Sequence, residues 1–294
     1  MDLQFTKIAV KVGSNVLTRK DGTLDITRMS ALVDQLAELH KEGVEIVLIS
    51  SGAVASGRGE IRLSRKLDSV AQRQLFSAVG QAKLINRYYE LFREHGIAVG
   101  QVLTTKESFA TRRHYLNQRN CMQVMLENGV IPIVNENDAV SVTELMFTDN
   151  DELSGLIATM MGMEALIILS NVDGIYNGSP SDCDSAVIRQ GGSRKKLVRL
   201  HYRPEKSGLG RGGMQTKVGI ARKVADEGIA VIIANGKKED ILLNLMRHPD
   251  TTLCTRFIPS EGNVSSVKKW IAHSESFARR GTAAECSGGI CPAP

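Results

Sequence analysis

Val130-Ile131-Pro132-Ile133-Val134 runs straight into Asn135-Glu136-Asn137-Asp138, and Phe147-Thr148-Asp149-Asn150-Asp151-Glu152-Leu153 follows soon after. The first five residues form a short apolar run rich in β-branched side chains, the pattern of a buried strand, and it ends abruptly in four polar residues. Past the second stretch, Leu153, Leu156, Ile157, Met160 and Met161 recur at helical spacing. Taken alone, Asp149 and Glu152 read equally well as the N-cap and N3 partner of a capping box that only starts this helix. That reading leaves the cluster at 135–138 unexplained. Carboxylates and amides at strand ends and helix starts are where open α/β folds place ligands.

The same alternation extends in both directions. Lys7 to Val12 reads as a buried strand entering the turn Gly13-Ser14, and a helix from Ile26 to Lys41 ends at Gly43. Val44 to Ile49 is a second strand, breaking into Ser50-Ser51-Gly52-Ala53 and then Ser56-Gly57. Two helical segments span Ser69 to His95, with Gly80 as a point of close contact. Ile97 to Leu103 is a strand and Arg112 to Leu126 a helix ending at Gly129. Ala165 to Leu169 is a strand running into Ser170-Asn171-Val172-Asp173-Gly174. A helix from Met214 closes at Gly228, Ile229 to Ala234 is a strand, and Asn235-Gly236 a turn. Short β-branched runs alternating with helices predict an α/β fold, a three-layer αβα sandwich with a central, mostly parallel sheet.

The 294 residues suffice for one large domain, placed here at 1–272, with 273–294 as a disordered tail. No apolar run approaches the length of a membrane helix, and the first residues carry no basic targeting segment. Five cysteines without CxxC pairing suit a reduced, cytoplasmic chain. The net charge of +5 has a single source: 191–206 holds Arg194, Lys195, Lys196, Arg199, Arg203 and Lys206 against Glu205 alone. Without a distributed basic face, nucleic acid is not expected as a partner.

Three features carry chemistry. Lys11 stands among Ile8, Ala9, Val10 and Val12, where a charge is costly unless paired; it is either a paired functional lysine or one that snorkels at a strand end. Ser50-Ser51-Gly52-Ala53 offers open backbone N–H groups at a strand end, suited to an anion or a carboxylate. Ser207-Gly208-Leu209-Gly210-Arg211-Gly212-Gly213-Met214-Gln215-Thr216-Lys217 opens a helix with glycines and a lysine in its first turn. It reads as a flexible linker or as a cradle for the terminal phosphates of a nucleotide. It is not a dinucleotide fingerprint, since no buried strand precedes it. Nor is it a Walker A loop, since Met214 follows Gly213. Phosphoryl transfer needs cations where charge spreads, an acceptor held in line, and an acid to orient the cations; Lys11, Lys217 and Asp151 can supply the first and last.

The runs Val10-Lys11-Val12-Gly13-Ser14, Ser50-Ser51-Gly52-Ala53, Asn135-Glu136-Asn137-Asp138-Ala139-Val140, Asp149-Asn150-Asp151 and Gly212-Gly213-Met214-Gln215-Thr216-Lys217 resemble those of the amino-acid kinase family, in the family's order over residues 6 to 270. The resemblance is closest to the branch that acts on glutamate. It implies ATP-dependent phosphorylation of the side-chain carboxylate of L-glutamate, the first step of proline synthesis. It further implies that Lys11 and Lys217 bind ATP and stabilise the transferring phosphoryl group, with Asp151 organising both lysines. Ser51, Asp138 and Asn150 would bind glutamate, with Asn135 and Asp149 nearby. Arg211, Gly212, Gly213, Met214, Gln215, Thr216, Ser170 and Asn171 would contact the nucleotide. Mg2+ would arrive with ATP and not in a protein cage. A free α-ammonium suits Asp138 or Asp149, which an N-acetylated substrate would leave unpaired. Feedback inhibition by L-proline and a homo-oligomer, dimer or tetramer, are implied as well. The resemblance ends without a C-terminal PUA domain. The segments 191–206 and 281–294 depart from the pattern, as shifted reading frames or as a solvated loop and a short natural form.

Overall fold

The computed structural model describes residues 3–140, 150–178, 185–191 and 214–260. Among them, eight strands form one sheet: β1 (Lys7–Val12), β2 (Glu45–Ser50), β3 (Val99–Thr104), β4 (Ile131–Glu136), β5 (Ala165–Ser170), β6 (Gln190–Gly191), β7 (Ala230–Asn235) and β8 (Thr255–Phe257). Their order is β3-β4-β2-β1-β5-β7-β8-β6. All pairings are parallel except that of β7 with β8. The antiparallel β8 was not foreseen, because three residues are too few to show a strand period.

Strand alternation sorts the core into two layers. Ile8, Val10 and Val12 of β1, Ile46 and Leu48 of β2, and Ile167 and Leu169 of β5 pack under α2 (Ile26–Lys41), α4 (Ser69–Glu94) and α9 (Ile241–Arg247). Ala9, Val47, Ile49, Leu166 and Ile168 face the other way, onto α6 (Arg112–Glu127), α7 (Asn150–Met161) and α8 (Met214–Asp226). Period-two side chains divided between two helical layers give the αβα sandwich expected from the sequence. Lys11 sits in register with Ile49 and Ile168, so its side chain leaves the sheet on the α7–α8 side.

From β1 the chain builds outward through β2 to β4 and β3, then returns to the other side of β1 with β5. The reversal lies between β1 and β5. In open α/β sheets ligands sit at such a point, outside the carboxyl ends of the strands. The ends of β1, β2, β4 and β5 there carry Lys11 to Gly13, Ser50-Ser51, Asn135 to Asp138 and Ser170-Asn171.

The two segments expected over Ser69–His95 are a single 26-residue helix. Asp68 caps it, accepting from the backbone N–H groups of Val70 and Ala71 at 2.9 Å each. Gly80 does not interrupt it, because the glycine is used for contact. A Cβ at Gly80 would lie 1.8 Å from the Ala53 carbonyl oxygen, and one at Gly57 would lie 1.8 Å from the Phe76 carbonyl oxygen. Thus α4 and α3 (Ala53–Arg58) touch backbone to backbone. Gly80→Ala must force them apart, and a destabilisation of about 1–3 kcal/mol is expected, seen as a lower urea midpoint by circular dichroism. An unchanged midpoint would mean that the two helices can separate without cost.

Candidate active site

The lysine on β1 is paired, which resolves its cost. Lys11 Nζ lies 2.6 Å from Asp151 Oδ1, and Lys217 Nζ lies 2.7 Å from Asp151 Oδ2. The Asp151 side chain is 1% exposed, and those of Lys11 and Lys217 are 7% and 14% exposed. Three elements meet here: β1 brings Lys11, the first turn of α7 brings Asp151, and the first turn of α8 brings Lys217. The two helices can approach because α7 presents Gly155, where a Cβ would come within 3.0 Å of Val224 and 3.1 Å of Ile220 on α8. Burial works strongly against charge on Asp151, but the two ammonium groups outweigh it and hold its carboxyl below the ordinary value. The triad therefore keeps one net positive charge, set in a nearly dry site where charge acts strongly on an anion.

One residue earlier, Asn150 faces a different set of groups. Its Nδ2 donates to Ser51 Oγ at 2.9 Å, to Asn135 Oδ1 at 3.1 Å and to the Ser50 carbonyl at 3.3 Å. The ends of β2 and β4 are thereby tied to the start of α7. Asn135 Nδ2 donates in turn to Gln81 Oε1 at 2.8 Å, and Ser50 Oγ shares a 2.9 Å hydrogen bond with the Tyr88 hydroxyl. Burial pushes the Tyr88 phenol up to about 12, so it stays neutral, while the Ser50 bond pulls the other way. Gly52, between Ser51 and α3, has φ +108°, a left-handed conformation that favours glycine and leaves this corner without a side chain.

Asp138 belongs to the same strand end but is already engaged. Arg73 Nε donates to Asp138 Oδ1 at 2.7 Å, and Arg73 Nη2 lies 2.5 Å from that oxygen and 3.3 Å from Glu136 Oε2. The sequence offered Asp138 as an unpaired acid awaiting an ammonium group. The structure gives it a guanidinium partner from α4, because a long helix crossing the strand ends brings together residues far apart in the chain.

On the far side of β1, Ser170 ends β5 and its carbonyl accepts from Gly236 N–H at 2.8 Å, while Asn171 is exposed beside it. Met214, Gln215, Thr216 and Lys217 open α8 above. Arg211, Gly212, Gly213 and Asp149 lie outside the described residues, as do the capping role given to Asp149, the segments 192–206 and 281–294, and the tail from 273. The structure thus gathers Lys11, Asp151 and Lys217 into one ion triad. It gathers Asn150, Ser51 and Asn135 into one amide cluster, with Asp138 just past the end of the strand that carries Asn135.

Sequence reasoning missed Arg73, Gln81, Tyr88 and Glu136. The first three share a stripe of α4, eight residues apart and then seven. Polar residues at helical spacing within an otherwise apolar face were the available signal, together with buried Ser77 between them.

Comparison with known proteins fits this geometry. The profile of the amino acid kinase family matches residues 6–235. A glutamate 5-kinase of Bacteroides thetaiotaomicron is 76% identical over 279 residues, covering 95% of this chain and 77% of that protein. A glutamate 5-kinase of Chlorobaculum tepidum is 46% identical over 273 residues, covering 93% and 74%. Among solved structures, the isopentenyl phosphate kinase of T. acidophilum, in a product complex, superposes with a TM-score of 0.61 at 14% identity, over 86% of this chain and all of that one, which speaks for the fold alone. With the family's profile spanning the sheet and its site, and with identity this high across nearly the whole length, the chain belongs to the amino acid kinase family and, within it, to the glutamate 5-kinases.

Proposed function

We infer that the chain transfers the terminal phosphoryl group of ATP to the γ-carboxylate of L-glutamate, giving γ-glutamyl phosphate and ADP, the reaction that opens proline biosynthesis. The observation that carries this reading is the buried Lys11–Asp151–Lys217 triad standing one residue from the Asn150 amide cluster. A γ-carboxylate is a competent nucleophile at neutral pH and needs no base. What the reaction needs is two anions brought together, and a fixed positive site supplies that. Lys11 and Lys217 would hold the phosphoryl oxygens as charge redistributes from the breaking to the forming P–O bond, and Asp151 keeps both ammonium groups aimed.

Ser51, Asn135, Asn150 and Asp138 would bind glutamate, with Asp149 beside them. Ser170, Asn171 and the segment from Arg211 to Lys217, through Gly212, Gly213, Met214, Gln215 and Thr216, would take the nucleotide. Among the described residues no three acidic, histidine or cysteine side chains converge on a metal-sized site, and Asp151 is engaged by two lysines. Mg2+ fits as an ion carried on the ATP phosphates, where it offsets their charge. Among the described residues no helix is long and apolar enough to cross a membrane, and a cytoplasmic enzyme is part of the proposal. So are competition by free L-proline for the amino-acid pocket and assembly into a dimer or tetramer, which rest on resemblance.

The test is ATP consumption with glutamate in the presence of hydroxylamine, which converts an acyl phosphate to a coloured hydroxamate. Hydroxamate from glutamate is expected. Hydroxamate from aspartate but not glutamate would assign another acceptor, and none from any amino acid would point to a sensor that binds without turnover.

A further inference from the structure

The mechanism above uses Lys11, Asp151, Lys217 and the amide cluster but assigns nothing to Arg73. Its position is unusual for a structural arginine. The Arg73 side chain is 20% exposed, and its guanidinium bridges two acids whose side chains are nearly dry, Glu136 at 2% and Asp138 at 8%. Both acids belong to the strand end that carries Asn135, which joins the amide cluster through Asn150. Arg73 comes from the stripe of α4 that also sends Gln81 to Asn135 and Tyr88 to Ser50, so the helix is already committed to this corner. A guanidinium has five N–H donors in a rigid fork. Nε and Nη2 serve the acids, while Nη1 has no partner among the described residues. Acid and fork thus stand side by side at the strand end that carries the amide cluster, and Asn150 of that cluster adjoins Asp151 of the cationic triad.

We propose that this pair reads the head group of a free α-amino acid as a zwitterion: Asp138 and Glu136 receive the α-ammonium, and Arg73 turns its fork to the α-carboxylate. In the structure the same acids hold Arg73. An incoming ammonium group must therefore displace the guanidinium, and only a ligand that also carries an α-carboxylate returns a partner to it. The device rejects amines without a carboxylate and diacids without an amine, so it selects at both charges. It rests on the assignment of glutamate as substrate.

Two analogues separate the charges. 4-Aminobutyrate keeps the amine and the acceptor carboxylate but has no α-carboxylate, and glutarate keeps both carboxylates but has no amine. Hydroxamate formation is measured for all three substrates with the wild-type chain and with Arg73→Gln. The preference for glutamate over 4-aminobutyrate, as a ratio of kcat/KM, is expected to fall about tenfold or more in the variant, the scale of a lost charged hydrogen bond. The preference over glutarate is expected to change less than about threefold. If both preferences survive, or if the glutarate preference collapses instead, Arg73 only shapes the acids and the proposal fails. Arg73→Lys, which keeps the charge without the fork, gives the same reading should Arg73→Gln lose its fold. It is expected to lose less of the 4-aminobutyrate discrimination. An inactive wild type would overturn the glutamate assignment itself, a result visible before any variant is made.

Discussion

Replacing Lys217 with alanine is expected to lower kcat by about a hundred- to thousandfold while leaving the KM for glutamate within about threefold. The asymmetry follows from position. Lys217 Nζ sits 2.7 Å from Asp151 and opens α8, on the side proposed for the nucleotide, whereas the amide cluster is built from Ser51, Asn135 and Asn150. Its ammonium group has most to gain where the transferring phosphoryl group is charged and in motion, which is in the transition state. Steady-state hydroxamate assays at saturating ATP give both constants. Equal losses in turnover and glutamate affinity would make Lys217 a structural residue.

Asp151→Asn is expected to be costlier to the fold than any other single change at the site. Two nearly buried ammonium groups would face a neutral amide, and breaking a buried pair by removing one partner typically costs about 3–5 kcal/mol. A urea titration followed by circular dichroism measures the loss, and turnover should fall with it. The pH dependence is distinctive. Asp151 is held below its ordinary value in the folded chain, so its stabilisation is fully present above the unfolded value of about 3.9 and disappears as pH falls through the lower, folded value. The stability gap between wild type and Asp151→Asn should therefore hold through neutral and mildly acidic pH and shrink only below about pH 4. A gap that closes already near pH 6 would tie the effect to another group.

The chemistry of the site was legible where it is local. A lysine inside an apolar strand at Lys11, acids and amides closing a strand at 135–138, and Asp149-Asn150-Asp151-Glu152 opening a helix each break a short-range pattern, so each can be seen in a window of a few residues. The double duty of Asn150 and Asp151 is also local in origin. Adjacent residues at a helix start point in different directions, here one to the amide cluster and one to the two lysines. The helical stripe of α4 was harder to see, because Arg73, Gln81 and Tyr88 lie eight and then seven residues apart, beyond a window of a few residues.

Strand period, helix spacing and glycine placement determined the layered α/β sandwich and most of its element boundaries, since these patterns arise from neighbours in the chain. The continuity of α4 through Gly80, the short antiparallel β8 and the partner of Asp138 were decided by contacts between residues far apart. Whether a glycine breaks a helix depends on what backbone it meets, and here it meets Ala53. Whether a buried acid awaits a ligand depends on which cation reaches it first. For Asp138 that cation is Arg73, 65 positions earlier, a distance no periodicity in the sequence spans.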